Sequence, residues 1–342
     1  MMVVTGLSVT VLILSSRTWP HPASLVSTTT TPLFVTKTPV FPPLNALRSV
    51  GSDPVIMYRL SFTFWICVAA SAACEGVAGC GGWNAATFSG GNVAVFITDS
   101  GVTLVDDKLA GWGQAVLEKV KSVTSKPVTR IINTHTHGDH TGNNNFFGAN
   151  VEIVAQENTK TNMEKMDAFK GENAKYLPKK TFKDKMTMGS GKDRIDLYYF
   201  GPGHTNGDAI IVFPMLRVAH FADLFARKAV PNVMPFDGGS AVSLPQTLAK
   251  AVAGIKDVDT VITGHSTLMT WKDVEEFAGF QREFLMSVQE AMKANKNADE
   301  AAAAMVKTLT VKYKDYTIAE PKTKENVGLI YDELHRTGHY VQ

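Results

Sequence analysis

The stretch Asn133-Thr134-His135-Thr136-His137-Gly138-Asp139-His140-Thr141-Gly142-Asn143 places three histidines and one aspartate within six positions. Imidazole and carboxylate at that density form a metal-ligand set suited to zinc, and also to iron or manganese. Positions 135, 137, 139 and 140 cannot share one helix face, where ligands need spacings of three or four. They suit a loop that wraps around an ion, presented by the apolar run at 128–132 just before it. The bland alternative is a histidine-rich surface loop.

Three more places repeat the pattern. Gly203-His204-Thr205-Asn206-Gly207-Asp208 follows an alternating run at 194–200, Ala222-Asp223-Leu224 follows 217–221, and Gly264-His265 follows 258–262. A lone buried histidine is more often a satisfied core residue than a ligand. Four strand ends carrying the same chemistry, with five of the chain's nine histidines, resist that explanation. His135, His137, Asp139, His140, His204, Asp223 and His265 are too many donors for one tetrahedral zinc and about right for two metals sharing a bridge. His220, two residues before Ala222, reads as core or as support behind the ligands.

The elements that must carry these residues alternate in type. Residues 92–98 and 102–105 read as a hairpin around Asp99-Ser100-Gly101, with Asp106 and Asp107 at its end. Residues 109–123 read as a helix that Pro127 closes, and 151–155 as a short strand. Residues 158–169 are polar and helical, and 179–185 read as a basic, mobile, solvated segment. Strands at 209–213 and 217–221 precede a helix at 243–255, with Pro245 in its first turn. Thr270 with Asp273, and Asn297 with Glu300, are capping boxes opening a helix to about 294 and another through 301–307, before a last helix at 325–335.

With 342 residues, 44% of them hydrophobic, the chain can build one large core or two small ones. Its 34 basic and 32 acidic residues give no case for a nucleic-acid partner or an anionic membrane. Cys67, Cys74 and Cys80 all lie upstream of the histidine motif, so thiolates are poor ligand candidates, although Cys74 and Cys80 could pair after export. Residues 17–54 are rich in Ser, Thr and Pro and read as disordered. Met57-Tyr58-Arg59, a short apolar run and Ser71-Ala72-Ala73 have the pattern of a secretory signal over 57–73, too short for a stable membrane span. A signal belongs at an N-terminus, so residues 1–56 read as a disordered or mis-assigned extension and the protein as periplasmic or secreted. Cys74 is a weak lipoprotein candidate, since the usual leucine three places before it is absent.

The sequence His-x-His-x-Asp-His, then Gly-His-Thr-x-Gly-Asp, then Ala-Asp-Leu-Phe, then Gly-His, resembles the metallo-β-lactamase-fold hydrolase superfamily in motif order and approximate spacing. The resemblance implies an α/β fold, a four-layer αββα sandwich over residues 80–290, with a C-terminal helical extension at 291–342. It implies that His135, His137 and His204 hold one metal, that Asp139, His140 and His265 hold a second, and that Asp223 bridges them. The metals would be two zinc ions, with iron or manganese as alternatives. Asp106 matches an acidic residue that supports the metal loop from behind. A bridging hydroxide would attack a carbonyl, with Asp139 as the catalytic residue that orients it and shuttles its proton.

Within the superfamily, enzymes that cleave β-lactams usually carry cysteine or serine where this chain has Asp223. The aspartate resembles the glyoxalase-II, lactonase and general hydrolase branches. The segment Pro231-Asn232-Val233-Met234-Pro235-Phe236-Asp237-Gly238-Gly239-Ser240 resembles a loop of exported general members, some of them described as β-lactamase-like. The expectation is therefore a two-metal hydrolase of a small-molecule ester, lactone, thioester or amide. The alternatives are a β-lactamase, an iron-dependent oxidoreductase of the same fold, and an inactive metal-bound scaffold. The sequence leaves the oligomeric state open.

Overall fold

A computed structural model describes residues 90–338, and before them the backbone of four strands: β1 (Met2–Gly6), β2 (Val9–Leu14), β3 (Val55–Leu60) and β4 (Phe64–Ala69). The disordered reading of 17–54, the cleavage site at 71–73, Cys74 and Cys80 lie outside the described residues. The chain then continues through β5 (Val93–Ile97), β6 (Val102–Val105), α1 (Gly113–Lys121), β7 (Val128–Ile132), α2 (Gly138–Thr141), α3 (Asn144–Phe147), β8 (Glu152–Gln156), α4 (Glu157–Met163) and β9 (Lys180–Phe182). Its second half holds β10 (Lys185–Met188), β11 (Ile195–Tyr198), β12 (Ile210–Phe213), β13 (Val218–Ala222), α5 (Leu244–Gly254), β14 (Thr260–Thr263), β15 (Met269–Thr270), α6 (Trp271–Lys293), α7 (Ala298–Lys312) and α8 (Glu320–Thr337).

Two mixed sheets result. The first has the order β3-β4-β1-β2-β5-β6-β7-β8-β9, and the second runs β10-β11-β12-β13-β14-β15. The β5–β6 hairpin is antiparallel, while β6, β7, β8 and β9 pair in parallel through helical crossovers. The second sheet is antiparallel except where β13 meets β14.

Side-chain alternation along each strand builds the layers. On β5, Ala94 and Phe96 face the second sheet, while Val93, Val95 and Ile97 face outward beneath Val116 and Val120 of α1. On β12, Ile211 and Phe213 enter the inter-sheet core, where Phe213 stacks on Phe96 at 4.8 Å between ring centroids. Ile210 and Val212 face the other way, into the core under α5, α6, α7 and α8. The fold is therefore helix, sheet, sheet, helix, an α/β sandwich with extra helices at the C-terminus. Each fully buried Leu, Ile or Phe stabilises it by roughly 1.5–3 kcal/mol. Among the described residues, no helix is long and apolar enough to cross a membrane.

Several boundaries differ from the sequence reading. The helix expected at 109–123 begins only at Gly113, because Gly111 has a φ of 89°, which an α-helix does not admit. The helix expected at 158–169 stops at Met163 and resumes as a single 3₁₀ turn at Asp167–Phe169. The basic segment 179–185 is ordered: it forms β9 and begins β10, with Phe182 buried in the inter-sheet core. Its lysines are edge-strand residues, a usual guard against edge pairing. Both capping boxes form, and α7 and α8 run longer than expected, α8 accepting Pro321 in its first turn.

Candidate metal centre

The loops after β7 and β11, the turn after β13 and the loop after β14 open at the same edge of the sandwich. The first contributes His135 from a bend and His137 from an extended residue, then Asp139 and His140 from the single turn α2. His204 comes from the loop between β11 and β12, Asp223 from a 3₁₀ turn after β13, and His265 from the loop after β14. The β13–β14 register shifts between His220 and Ala222, and Ala222 takes φ 45°, an unfavourable value for alanine. This bulge turns Asp223 off the strand direction and into the cluster.

The seven residues fall into three overlapping groups with ligand atoms within 4.8 Å: His135 with His137 and His204, His135 with His140 and Asp223, and Asp139 with His140 and His265. His135, His140 and His204 are buried, while His137, Asp139 and His265 are partly open to solvent. Asp223 reaches both sides. Its Oδ1 lies 3.1 Å from His265 Nε2 and 3.5 Å from His140 Nε2, and its Oδ2 lies 3.6 Å from His204 Nε2.

The outward nitrogens of four imidazoles meet acceptors, and this assigns their tautomers. His140 Nδ1 donates to Asp106 Oδ2 at 2.7 Å, and His137 Nε2 to Asp237 Oδ2 at 3.0 Å. His204 Nδ1 donates to the Asn232 carbonyl at 2.5 Å. Thr134 gives its hydroxyl proton to Asp106 Oδ2 at 2.8 Å, so its oxygen accepts from His135 Nδ1 at 3.0 Å. The inward nitrogens of His135, His137 and His204 then carry lone pairs. His137 Nδ1 lies 3.1 Å from His135 Nε2 and 2.9 Å from His204 Nε2, with no proton among them to share.

Such convergence repels unless a positive charge sits inside it. Burial pushes the His135 pKa well below its usual value and lowers that of His137, which disfavours a proton there. On the other side, burial opposes a charge on His140, but Asp106 and Asp223 outweigh it and hold its pKa well above the ordinary range. Burial also works against the Asp223 carboxylate, yet His265 and His140 hold it well below the ordinary range. Its Oδ1 is buried without a hydrogen bond of good geometry among the described residues. Inward lone pairs, a carboxylate held ionised and an unsatisfied oxygen fit divalent cations.

The supporting residues explain the motifs. Asp106, at φ 62°, also accepts from the Thr134 amide at 2.8 Å and so pins the loop that carries His135. Asp208 folds back on Thr205, accepting its amide at 2.9 Å and its hydroxyl at 2.6 Å, which closes the turn that presents His204. Burial pushes the Asp208 carboxyl up to about 6. His220 is buried beneath the site against the Asn92 carbonyl, at 3.2 Å, and burial lowers its pKa to about 4.

Three supports were not read from the sequence: Asp237, Asn232 and Gly91. Asp237 sits on a 3₁₀ turn fourteen positions after Asp223, where no periodic pattern marks it. Asn232 acts through its backbone, which side-chain chemistry does not reveal. Gly91 packs flat against the His140 ring, and its amide donates to the Asp139 carbonyl at 3.0 Å. Its only sequence signal is the Gly90-Gly91 pair.

A family model described as the metallo-beta-lactamase superfamily matches residues 86–265, more than half of the chain. The chain is 27% identical over 199 residues to a metallo-beta-lactamase type 2 of Elizabethkingia meningoseptica, covering 55% of this chain and 74% of that protein. It is 24% identical over 185 residues to the metallo-beta-lactamase IND-1 of Chryseobacterium indologenes, covering 53% and 72%. Among solved structures, a metallo-beta-lactamase from Pontibacter korlensis aligns with a TM-score of 0.48 and 19% identity, over 56% of this chain and 87% of that one.

Proposed function

The chain belongs to the metallo-beta-lactamase superfamily, and from that membership we propose that it is a hydrolase using two zinc ions against the carbonyl of a small-molecule ester, lactone, thioester or amide. The observation that carries this reading is the double reach of Asp223, with one oxygen toward His140 and His265 and the other toward His204. His135, His137 and His204 would hold one ion, Asp139, His140 and His265 the other, and Asp223 would bridge. When bound, such a pair supplies a water with its pKa lowered to about 7 and a Lewis acid for the substrate oxygen.

The chain's residues then set protons and geometry. Asp106, Asp237, the Thr134 hydroxyl and the Asn232 carbonyl each take the outward N–H of one imidazole, so that with the ions in place the inward nitrogens of His140, His137, His135 and His204 would face them as lone-pair donors. Asp139 stands on the partly open side, with Oδ2 3.4 Å from His265 Nε2 and 3.6 Å from His140 Nε2. In this role it orients the attacking water, takes its proton and returns it to the leaving group. The polar rigidity behind the ligands means little reorganisation accompanies the reaction.

Hydrolysis of a β-lactam amide is the second reading, favoured by the names of the relatives. The carboxylate of Asp223, where enzymes of that kind usually carry cysteine or serine, supports the broader carbonyl hydrolase instead. Metal analysis with a panel of β-lactams, lactones, thioesters and phosphoesters tests both. Two zinc ions per chain with turnover of a lactone or thioester supports the first reading. Turnover of β-lactams alone supports the second, and one iron per chain with oxygen consumption would sink both. The same reading includes export through residues 57–73. N-terminal sequencing should find a mature chain that begins after 73, and one that retains 1–56 refutes export by this route.

A further inference from the structure

The segment 228–242 carries two of the supports described above, Asn232 behind His204 and Asp237 behind His137. Its regular structure is limited to the 3₁₀ turn Pro235–Asp237 and a single parallel β-bridge from Ala229 to Thr317, so its shape depends on bonds made to it from outside. Those bonds come largely from the C-terminal part of the chain, beyond the residues 86–265 that the family model matches.

The C-terminal contacts hold the two ends of the segment, 228–232 and 240–242, while its middle is held by His204, Asn206 and Asn162. Lys228 Nζ pairs with Asp315 at 2.7 Å, the Thr317 amide donates to the Lys228 carbonyl at 3.0 Å, and the Val230 amide donates to the Thr317 carbonyl at 3.2 Å. Asn326 Nδ2 donates to the Pro231 carbonyl at 3.0 Å, and Lys322 Nζ to Asn232 Oδ1 at 2.6 Å. Further on, the Ser240 hydroxyl donates to Glu333 Oε1 at 2.5 Å. Lys322, Asn326 and Glu333 lie on α8, and Lys322 and Asn326, four apart, share one helical face.

We infer that Lys322 is a positioning residue for the metal centre, acting through Asn232 to hold the His204 imidazole at the ion it shares with His135 and His137. The inference rests on the two-metal reading above. The ammonium fixes the Asn232 side chain, Asn326 fixes the preceding peptide, and together they aim the Asn232 carbonyl at His204 Nδ1. That carbonyl is the His204 ring's outward acceptor, so its direction sets where Nε2 points. The other half of the site has a separate foundation: His140 rests on Asp106, and the His265 amide donates to the Ala226 carbonyl at 3.0 Å. Loss of Lys322 therefore acts on one ion and spares the other.

The test uses the full-length zinc-loaded protein and its Lys322→Met variant, which keeps the aliphatic stem and loses the ammonium. Zinc retention is measured against a graded chelator, and the metal-free melting temperature alongside it. Lys324→Met, which removes an exposed α8 lysine paired with Asp299, controls for charge loss. The expected result is one zinc held ~10–100-fold more weakly and the second as in wild type. Lys322→Arg, which retains a donor, should recover most of the lost affinity. General destabilisation would loosen both ions together and lower the metal-free melting temperature, so selective loss separates positioning from stability. Wild-type retention of both ions by Lys322→Met, or equal weakening of both, overturns the inference alone. A wild-type chain that takes up no metal overturns the two-metal reading with it.

Discussion

Replacing Gly91 with alanine tests how tightly the second half of the site is built. An added Cβ would stand 2.5 Å from His140 Nε2 and 2.6 Å from Nδ1, with Cε1 closer still. Ordinary contact needs about 3.5–4.0 Å, so the ring must retreat by roughly 1 Å or more. It has nowhere to go: Asp106 holds Nδ1 at 2.7 Å, and the His135 ring lies 4.2 Å away between centroids. Overpacking costs about 1–3 kcal/mol, and breaking a hydrogen bond to a charged group roughly 1.5–3 kcal/mol more. If the backbone yields instead, Gly91 loses Asp139 and the neighbouring Asn92 amide loses the Gly264 carbonyl, bonded at 3.0 and 2.7 Å. By either route the donors of one ion move by about 1 Å, enough to cost on the order of 10²-fold in turnover. Thermal melting, zinc content and hydrolysis of the best panel substrate measure the outcome. Gly138→Ala, where an added Cβ meets nothing within 4 Å, is the matched control for stability and zinc content. A Gly91→Ala protein with two zinc ions and wild-type melting and turnover would refute the packing argument.

Asp139→Asn should lower turnover by about 10²–10⁴-fold while the metal-free melting temperature stays near wild type, since Asp139 sits partly open at the site. Retained turnover removes its assigned role. Asp237→Ala frees His137 Nε2 and should weaken zinc retention ~10–100-fold in chelator titration; unchanged retention would mean that Asp237 does not orient the ligand. Removing metal should lower the melting temperature and zinc should restore it, each ion contributing about 2.7 kcal/mol at a hundredfold excess over its Kd. Lys108 gives a pH test on the metal-free protein. Burial pushes its pKa from 10.5 down to about 7, against a smaller upward pull from Asp139. Between those values the unfolded chain holds more protons than the folded one, so stability rises with pH from about 7 toward 10. Lys108→Met should flatten that rise and add on the order of a few kcal/mol near pH 7, read by denaturant melts across the window. An equal slope in the variant would remove Lys108 as its cause.

Most strands from β5 onward are legible because they are short, apolar and bounded by turn residues. Val93, Val95 and Ile97 read at period two, and they do share one face. The long amphipathic helix α6 announces itself through Thr270 and Asp273, which form a capping box. The late start of α1 is not legible, because the turn before it is held by bonds from Gly142 and Asn143, outside its own segment. The order of β9 and β10 is hidden for a related reason: Phe182 is one apolar residue among lysines, and only the second sheet makes its burial worthwhile. At the site, residues that act through side-chain donors stand out in the sequence, since histidine is scarce and its clustering is visible. Asn232 acts through a carbonyl that every residue possesses, and Gly91 through the absence of a side chain, so neither carries a chemical label. Lys322 is one lysine among 34 basic residues until α8 folds against Asn232.

The donors are drawn from both sheets, and this has a mechanical consequence. His135, His137, Asp139 and His140 follow β7 of the first sheet, whereas His204, Asp223 and His265 hang from the second. A pair of ions held by all of them is a cross-link between the faces of the sandwich, joining positions as far apart in sequence as 135 and 265. Cross-links that close long loops restrict an unfolded chain most. The ions would thus rivet the two halves at one edge while the inter-sheet core glues them along its length. Prying the sheets apart at that edge should then release metal before the helices on either outer face unravel.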